Sequence, residues 1–455
     1  MLFLSIQFII LISVLLILLQ FIHSRRAERI LLLAASYLFY ACFDLGMLAL
    51  LICLSVFTWI GGYLVNRAKI SGRSRCAKII CLSCIAVQTA VLMFFKFSGR
   101  RPMPVGLSFY MLQAISFLAD NYRGELNGFP SLLDSLVYIG FFPQIVSGPI
   151  VKAKDFIPQL AGRKKLSMER LSYGIQLFAL GAFMKLVMAD RLAVSVDSVY
   201  SAPLAYRGLS LFFSSVGYSL QLLFDFSGYS NMAIGVAWLL GYDLGKNFNL
   251  PYLASDPSDF WRRWHISLST WLRDYIYIPL GGNRKGRVRT YINIFLTMVI
   301  SGLWHGSTVN FLLWGALHGL WQVIHRMIRD IKKTEQKIYT PLSRLWQFVS
   351  VILCFLTVNF LWIPFRADTL SDTRLIVSRI LTFKPGISYY YVYTFIFGGI
   401  LLAAELIAIL KSGKNSPWKP LTLDKMYGRI LFCCFIIAIA MFAYFGNGAF
   451  IYAKF

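Results

Sequence analysis

Trp304, His305 and Gly306 stand together between two apolar runs, residues 290–303 (TYINIFLTMVISGL) and residues 309–324 (VNFLLWGALHGLWQVI). A titratable imidazole at membrane depth is costly, and such groups are rare away from functional sites. Each run approaches the length needed to cross a hydrocarbon core at ~1.5 Å per residue. Both outer ends are basic, with Arg284, Lys285, Arg287 and Arg289 before the pair and Arg326, Arg329, Lys332 and Lys333 after it. The positive-inside tendency assigns both ends to the cytoplasm. The pattern predicts a helical hairpin with His305 near its apex, roughly 20 Å from the cytoplasm on that rise, beside a cavity open to the outside.

A neutral imidazole in an apolar pocket can accept a proton from a hydroxyl and return it to a leaving group, which is worth ~10²–10⁴ in rate. The alternative for His305 is structural, a ring hydrogen-bonded to a neighbouring helix carbonyl. His265 is the second candidate. His23 abuts a basic loop and reads as topological. His318 and His325 are seven apart on one helical face and read as helix packing, with too few further ligands for a metal pair. His325 and Asp330 also fit an H-x-x-x-x-D acyltransferase pattern, but in a basic stretch at a helix end, where a surface role is the simpler reading. Asp225, Asn310 and His318 complete the set of intramembrane polar candidates.

Other chemistry is poorly represented. The chain has no G-x-S-x-G elbow, H-E-x-x-H, Walker loop or G-x-G-x-x-G. Its eight cysteines lack zinc spacing and read as small core residues without a disulfide framework. No metal site and no bound cofactor are expected.

The elements that must hold these residues are membrane helices. Of 455 residues, 58% are hydrophobic and 14% charged, the composition of an all-α polytopic integral membrane protein. The net charge of +25 would suggest nucleic acid in a soluble protein. Here Lys and Arg gather in short loops, at 23–29, 66–78, 152–170 and 326–344, as topology determinants facing anionic membrane lipid. No nucleic-acid partner is expected. A few cations, Arg262, Arg263, Arg284, Lys285 and Arg287, could instead hold the phosphates of a cytoplasmic donor by charge-assisted hydrogen bonds.

Apolar stretches begin near residues 1, 30, 45, 78, 105, 132, 171, 209, 229, 290, 309, 346, 388 and 428, which predicts about a dozen transmembrane or re-entrant helices. The first, residues 1–22, lacks a basic leader and is followed by Arg25 and Arg26, so it reads as a retained span with its N-terminus outside. No soluble domain interrupts the series, and residues 1–455 read as one transmembrane domain with its motif core at about 105–325. Residues 260–286 (FWRRWHISLSTWLRDYIYIPLGGNRKG) do not look like a simple span. Trp261, Trp264, His265, Leu268, Trp271, Leu272 and Tyr275 recur at helical spacing and predict an amphipathic interfacial or re-entrant helix with one aromatic face, ended by the Pro279 turn.

Residues 260–286, followed by 302–319 (GLWHGSTVNFLLWGALHG), resemble the membrane-bound O-acyltransferase family, and within it the bacterial alginate O-acetyltransferase branch. Supporting strings are 105–124 (VGLSFYMLQAISFLADNYRG), 141–150 (FFPQIVSGPI), 224–235 (FDFSGYSNMAIG), 246–253 (KNFNLPYL), 365–368 (FRAD) and 450–455 (FIYAKF). The resemblance implies a helical bundle with funnels from both faces meeting at a thin centre, in a bacterial cytoplasmic membrane. It puts the family's catalytic histidine at His305 and its second polar position at His265. It implies an acyl group taken from a cytoplasmic thioester, acetyl-CoA, and passed to an extracytoplasmic partner of the SGNH-hydrolase type that decorates a polysaccharide. Four departures stand out: Asn231 where Asp is usual, Val309 where Trp is frequent, Lys454 near the end, and a short interval at 96–104.

Two other readings compete. A teichoic-acid D-alanyl transferase of the same family would take its acyl group from a carrier-protein thioester. A transporter or flippase would use His265, His305 and Asp225 as a proton relay.

Overall fold

The computed structural model describes residues 3–98, 102–163, 165–331, 341–389, 391–412, 421–423 and 425–444. Lys332, Lys333, Lys454, the ending 450–455 and residues 99–101 of the short interval lie outside the described residues. Among the described residues the regular structure is helical, apart from one isolated bridge between Tyr206 and Ile387. The chain runs through α1 (Ile6–Phe21), α2 (Arg25–Ala41), α3 (Leu45–Ile70), α4 (Ser74–Phe97) and α5 (Leu107–Arg123). Short helices α6 (Leu132–Gly140), α7 (Phe142–Ile145) and α8 (Ala153–Ala161) lead to α9 (Met168–Phe183), a π-helical turn at Met184–Ala189 and α10 (Asp190–Tyr200). The long α11 (Gly208–Leu240) is followed by α12 (Pro257–Arg263), α13 (Ile266–Leu272) and a second π turn at Arg273–Tyr277. Then come α14 (Gly286–His305), α15 (Val309–Ile331), α16 (Pro341–Arg366), α17 (Leu370–Leu381), α18 (Val392–Ser412) and α19 (Met426–Phe442).

Four helical stretches are long and apolar enough to cross a bilayer: Leu45–Ile70, Ser74–Phe97, Gly208–Leu240 and Leu345–Arg366. The protein is a multi-pass membrane protein. The hairpin helices α14 and α15 fall outside that group because they spend polarity on the bundle interior. Asn293, Thr297, Ser301 and His305 of α14 and Asn310 and His318 of α15 are all buried. A helix surrounded by protein need not be apolar all round, since neighbouring elements can satisfy its polar side chains.

The stretches near 209 and 229, expected as two spans, form one helix of 33 residues, about 50 Å long at 1.5 Å per residue. Nothing breaks it, because its internal glycines are contact points. A Cβ on Gly181 of α9 would lie 2.4 Å from the carbonyl oxygen of Gly228 in α11, so the two backbones touch along a seam of small residues. Ser167 and Asp256 cap α9 and α12 through their side-chain oxygens, and Pro257 stands in the first turn of α12, where its missing N–H costs nothing.

On the basic face, side-chain pairs staple the segment after α13 to α5 and α8. Asp274 pairs with Lys152 and with Arg273 at 2.7 Å, Arg123 donates to the Asp274 carbonyl at 2.9 Å, and the Tyr275 hydroxyl donates to Asp120 at 2.5 Å. Burial pushes the Asp274 carboxyl up, but the hydrogen bonds from Arg273 and Lys152 outweigh it and hold the group below the usual carboxylate range.

The hairpin that carries His305 depends on the crossing of α14 and α15. A Cβ on Gly302 would fall 2.3 Å from the Phe311 carbonyl oxygen, and one on Gly315 would fall 2.5 Å from that of Met298. Gly302→Val should therefore destabilise the protein by about 1–3 kcal/mol or more, read as a lower thermal unfolding midpoint in detergent. Gly162→Ala, with open space at its Cβ, should leave the midpoint within about 0.5 kcal/mol of the parent. Equal midpoints for Gly302→Val and the parent would contradict the close crossing.

Candidate active site

The aromatic segment is not one helix. It breaks between α12 and α13, at Trp264 and His265, and His265 takes a left-handed backbone with φ 42°. For a non-glycine residue that conformation costs about 1–3 kcal/mol and tends to cluster at functional sites. The expected single aromatic face is thus divided, and His265 sits at the N-terminal boundary of α13 instead of on a helix face.

Asn247 makes the break. Its backbone carbonyl accepts from the Ile266 N–H at 2.9 Å. Its side-chain Oδ1 accepts from the Ser267 hydroxyl at 2.9 Å and the Ser267 N–H at 3.3 Å, which caps α13 from outside. The same Oδ1 lies 3.1 Å from Nδ1 of His265. With Oδ1 accepting, Nδ1 carries the imidazole proton and Nε2 keeps its lone pair. Asn247 is itself oriented by a 3.0 Å bond from Nδ2 to the Ser230 hydroxyl of α11. Arg263 completes the junction: its carbonyl accepts from Asn249 N–H, and its guanidinium pairs with Asp259 at 3.0 Å and donates to the Asn249 carbonyl.

His265 and His305 are 1% and 2% exposed, so each ring is enclosed by protein. Trp304 lies between them. Its ring is 6.4 Å from that of His265 and 4.8 Å from that of His305. Trp314 and Phe365 close the rest of the His305 surround at 5.0 Å and 5.3 Å, and Phe226 meets His265 edge-on at 4.6 Å. Helix α5 is the post on which this group hangs. The Trp304 indole donates to the Ser108 carbonyl at 3.3 Å and the Trp271 indole to the Leu112 carbonyl at 2.9 Å.

A cavity of about 250 Å³ lies between α13, α14 and α15, lined by the exposed Arg273 and half-buried Tyr277 and by the buried Trp261 and Met298. Trp261 stacks edge-on with Trp314, 5.8 Å away, and Trp314 in turn meets His305. The Trp261 and Trp314 rings thus connect the cavity wall to the His305 imidazole by edge-on contacts.

The remaining candidates separate into distinct places. His318 is buried among Phe260, Trp261, Trp314 and Trp362, and neither of its ring nitrogens has a hydrogen-bond partner among the described residues. Asn310 donates to the Ala367 carbonyl at 2.7 Å and accepts from Thr373, which fixes the turn after Phe365. Asp225 accepts from Lys185 at 2.6 Å, and Lys185 also pairs with Asp190 at 2.8 Å. Of the cations considered for donor phosphates, Arg263 is committed to the fold, whereas Arg262, Arg284, Lys285 and Arg287 are exposed.

Four functional-looking residues escaped sequence reasoning. Lys185 and Asp190 carried a usable signal, ionisable groups within an apolar stretch. Lys96 carried the same signal; its ammonium donates to the Trp304 carbonyl and lies 5.6 Å from the Trp304 ring centre. Asn247 carried none, because its role depends on a contact 18 residues away. Among the described residues no group of three or more His, Cys, Asp or Glu side chains could hold a metal ion.

The sequence profile of the membrane-bound O-acyltransferase family matches residues 29–361. The chain is 36% identical over 373 residues to "Probable alginate O-acetylase AlgI" of Pseudomonas putida, covering 77% of this chain and 74% of that protein. It is 32% identical over 384 residues to the "Peptidoglycan O-acetyltransferase" of Helicobacter pylori, covering 75% and 71%. It is 27% identical over 319 residues to the "Teichoic acid D-alanyltransferase" of Bacillus subtilis, covering 66% and 80%. A match over most of the chain, on a helical membrane protein that buries two imidazoles around one indole, shows that the chain belongs to the membrane-bound O-acyltransferase family and is an O-acyltransferase.

Proposed function

We propose that this protein takes an acetyl group from acetyl-CoA at the cytoplasmic face of a bacterial inner membrane and passes it to a hydroxyl on the opposite face. The final acceptor is a cell-envelope or exported polysaccharide, reached through an extracytoplasmic partner of the SGNH-hydrolase type. Residues 1–455 act as one transmembrane unit. The observation that carries this reading is the position of His305, enclosed by aromatic rings at the turn between α14 and α15 and linked through Trp314 and Trp261 to a cavity that Arg273 lines. The O-acetylating relatives support acetyl as the group carried.

In this mechanism the thioester enters from the cavity lined by Arg273, the Trp261 and Trp314 rings turn aside to admit its acetyl end to His305, and the acceptor hydroxyl arrives from the other side. The neutral His305 imidazole accepts the hydroxyl proton as the oxygen attacks the acetyl carbonyl. A C–O bond forms, the C–S bond breaks, and the imidazolium returns the proton to the departing thiolate. His265, fixed in one tautomer by Asn247, accepts at Nε2 from the acceptor hydroxyl and so orients it across Trp304. The exposed Arg262, Arg284, Lys285 and Arg287 hold the phosphates of the donor. Aromatic walls exclude water, which would otherwise hydrolyse the thioester.

A carrier-protein thioester donor, as in D-alanyl transfer, would use the same histidines; the higher identity to the O-acetylating relatives favours acetyl-CoA. The transporter reading needs Asp225 as a relay partner of the histidines. Asp225 is engaged with Lys185, while its neighbour Phe226, about 100° round the helix, is the residue against His265, and this supports acyl transfer over proton relay.

His305→Ala should lower the acetyl ester content of cells, at matched membrane levels of protein, by at least about 10²-fold. Retention of more than about a tenth of activity would contradict a general-base role. His265→Ala should impair transfer less completely. Orientation is tested separately with a single cysteine at the exposed Asn283 in a cysteine-depleted background. A membrane-impermeant maleimide should label it in inverted vesicles only, and acetyl-CoA should slow the labelling. Labelling of intact spheroplasts would reverse the assignment of faces.

A further inference from the structure

A cavity of 540 Å³ runs between α9, α11 and α18, closed on one side by residues 243–251. On α9 and the π-helical turn after it the wall climbs from Tyr173 through Leu177 and Met184 to Met188, roughly 20 Å at helical rise. On α11 the facing wall descends from Leu223 through Ser227, Asn231 and Ile234 to Trp238, at the spacing of one helix face. Two of the polar groups on that wall are turned onto protein. The Ser227 hydroxyl donates to the Leu223 carbonyl at 2.5 Å, and the Asn231 amide donates to the Met184 sulfur at 3.5 Å. The wall of the slot away from residues 243–251 is therefore predominantly apolar.

The basic-side end has the opposite character. Tyr173 and Trp238 pair there with ring centres 4.6 Å apart, and the Arg170 guanidinium lies 4.5 Å over Trp238. Aromatic rings with cations are the usual furniture of the headgroup level. Lys246 is exposed at this mouth, and the carboxylate of neighbouring Asp243 is turned onto the Gly245 N–H at 2.8 Å. A slot that is apolar over half a bilayer and cationic at the headgroup level complements one kind of occupant, an amphiphile with an anionic head.

The slot meets the candidate active site at one residue. Asn247 lines it and also holds Nδ1 of His265. Leu250, on the same wall, has a left-handed backbone with φ 50°, so this loop keeps a strained shape that a neighbour in the slot can support.

We propose that the slot binds one acyl chain of an anionic phospholipid from the basic-side leaflet, with its phosphate at Lys246, and that the chain braces residues 247–251 and so keeps Asn247 on His265. The bracing rests on the reading of His265 as a participant in acyl transfer; the lipid site does not.

The test uses the full-length protein in vesicles of phosphatidylethanolamine and phosphatidylglycerol, with a fraction of the phosphatidylglycerol carrying a photoreactive diazirine in its acyl chain. After illumination, label should concentrate on peptides from 173–188 and 223–238 relative to α1, whose outward face meets bulk lipid. Lys246→Glu should cut that label about fivefold, the scale of one lysine at an anionic surface. Ile400→Trp, made at an exposed position on the rim, should nearly abolish it. Acetyl transfer should fall in parallel in both variants. Even labelling of the slot and α1, or label unchanged in both variants, would overturn the lipid site. Loss of label with full transfer would overturn the bracing of His265. His305→Ala should label like the parent protein, so a failure of the acyl-transfer reading and a failure of the lipid site are read independently.

Discussion

The side-chain carbonyl of Asn247 is the contact on which the rest of the site depends. It accepts from the Ser267 hydroxyl and N–H, starting α13, and it lies 3.1 Å from Nδ1 of His265. Without that acceptor, the Ser267 N–H in the first turn of α13 would be left unsatisfied in a buried place, at about 1–3 kcal/mol. The left-handed turn at His265 would also lose its compensation. One amide therefore sets the end of a helix, the tautomer of a buried imidazole and the direction in which that imidazole faces.

Around this junction the bundle is built to keep polarity inside. His265, His305, His318, Asn310 and the Lys185–Asp190–Asp225 group all lie within walls of protein, where a polar group in the bilayer can be satisfied. Backbones come close through small residues, at Gly181 with Gly228 and at Gly302 with Gly315, since apolar side chains gain little by leaving lipid for protein. The tight crossing of α14 and α15 puts His305 at a turn, and the indole of Trp304, hung on α5, fills the space toward His265. Packing and chemistry thus use the same residues.

Much of this was legible in the sequence. The hairpin at 290–324 announced itself through two apolar runs around a histidine with basic outer ends, and the long strings at 260–286 and 302–319 pointed to the family that the profile match shows. Aromatic periodicity in 260–275 misled, because spacing along a chain cannot reveal that Asn247 interrupts the helix from a distance. Arg263 looked like a free cation, yet it is held by Asp259 one turn back in α12 and by the Asn249 carbonyl, a contact that spacing along the chain does not show. The stretch at 209–240 looked like two spans because its middle carries Asp225 and several serines. Tertiary partners, Lys185 among them, let those residues stay inside one helix.

Under the proposed mechanism an acetyl group crosses while its carrier does not. An acetyl is small and uncharged, whereas coenzyme A carries phosphates that are costly to move through low dielectric. The most direct measurement supplies acetyl-CoA, labelled in its acetyl group, only at the basic face of sealed proteoliposomes that enclose an acceptor with its partner protein. The account predicts labelled ester on the enclosed acceptor, coenzyme A confined to the outside, and no ester with His305→Ala. Intact acetyl-CoA or a glycan appearing across the membrane without ester formation would contradict it.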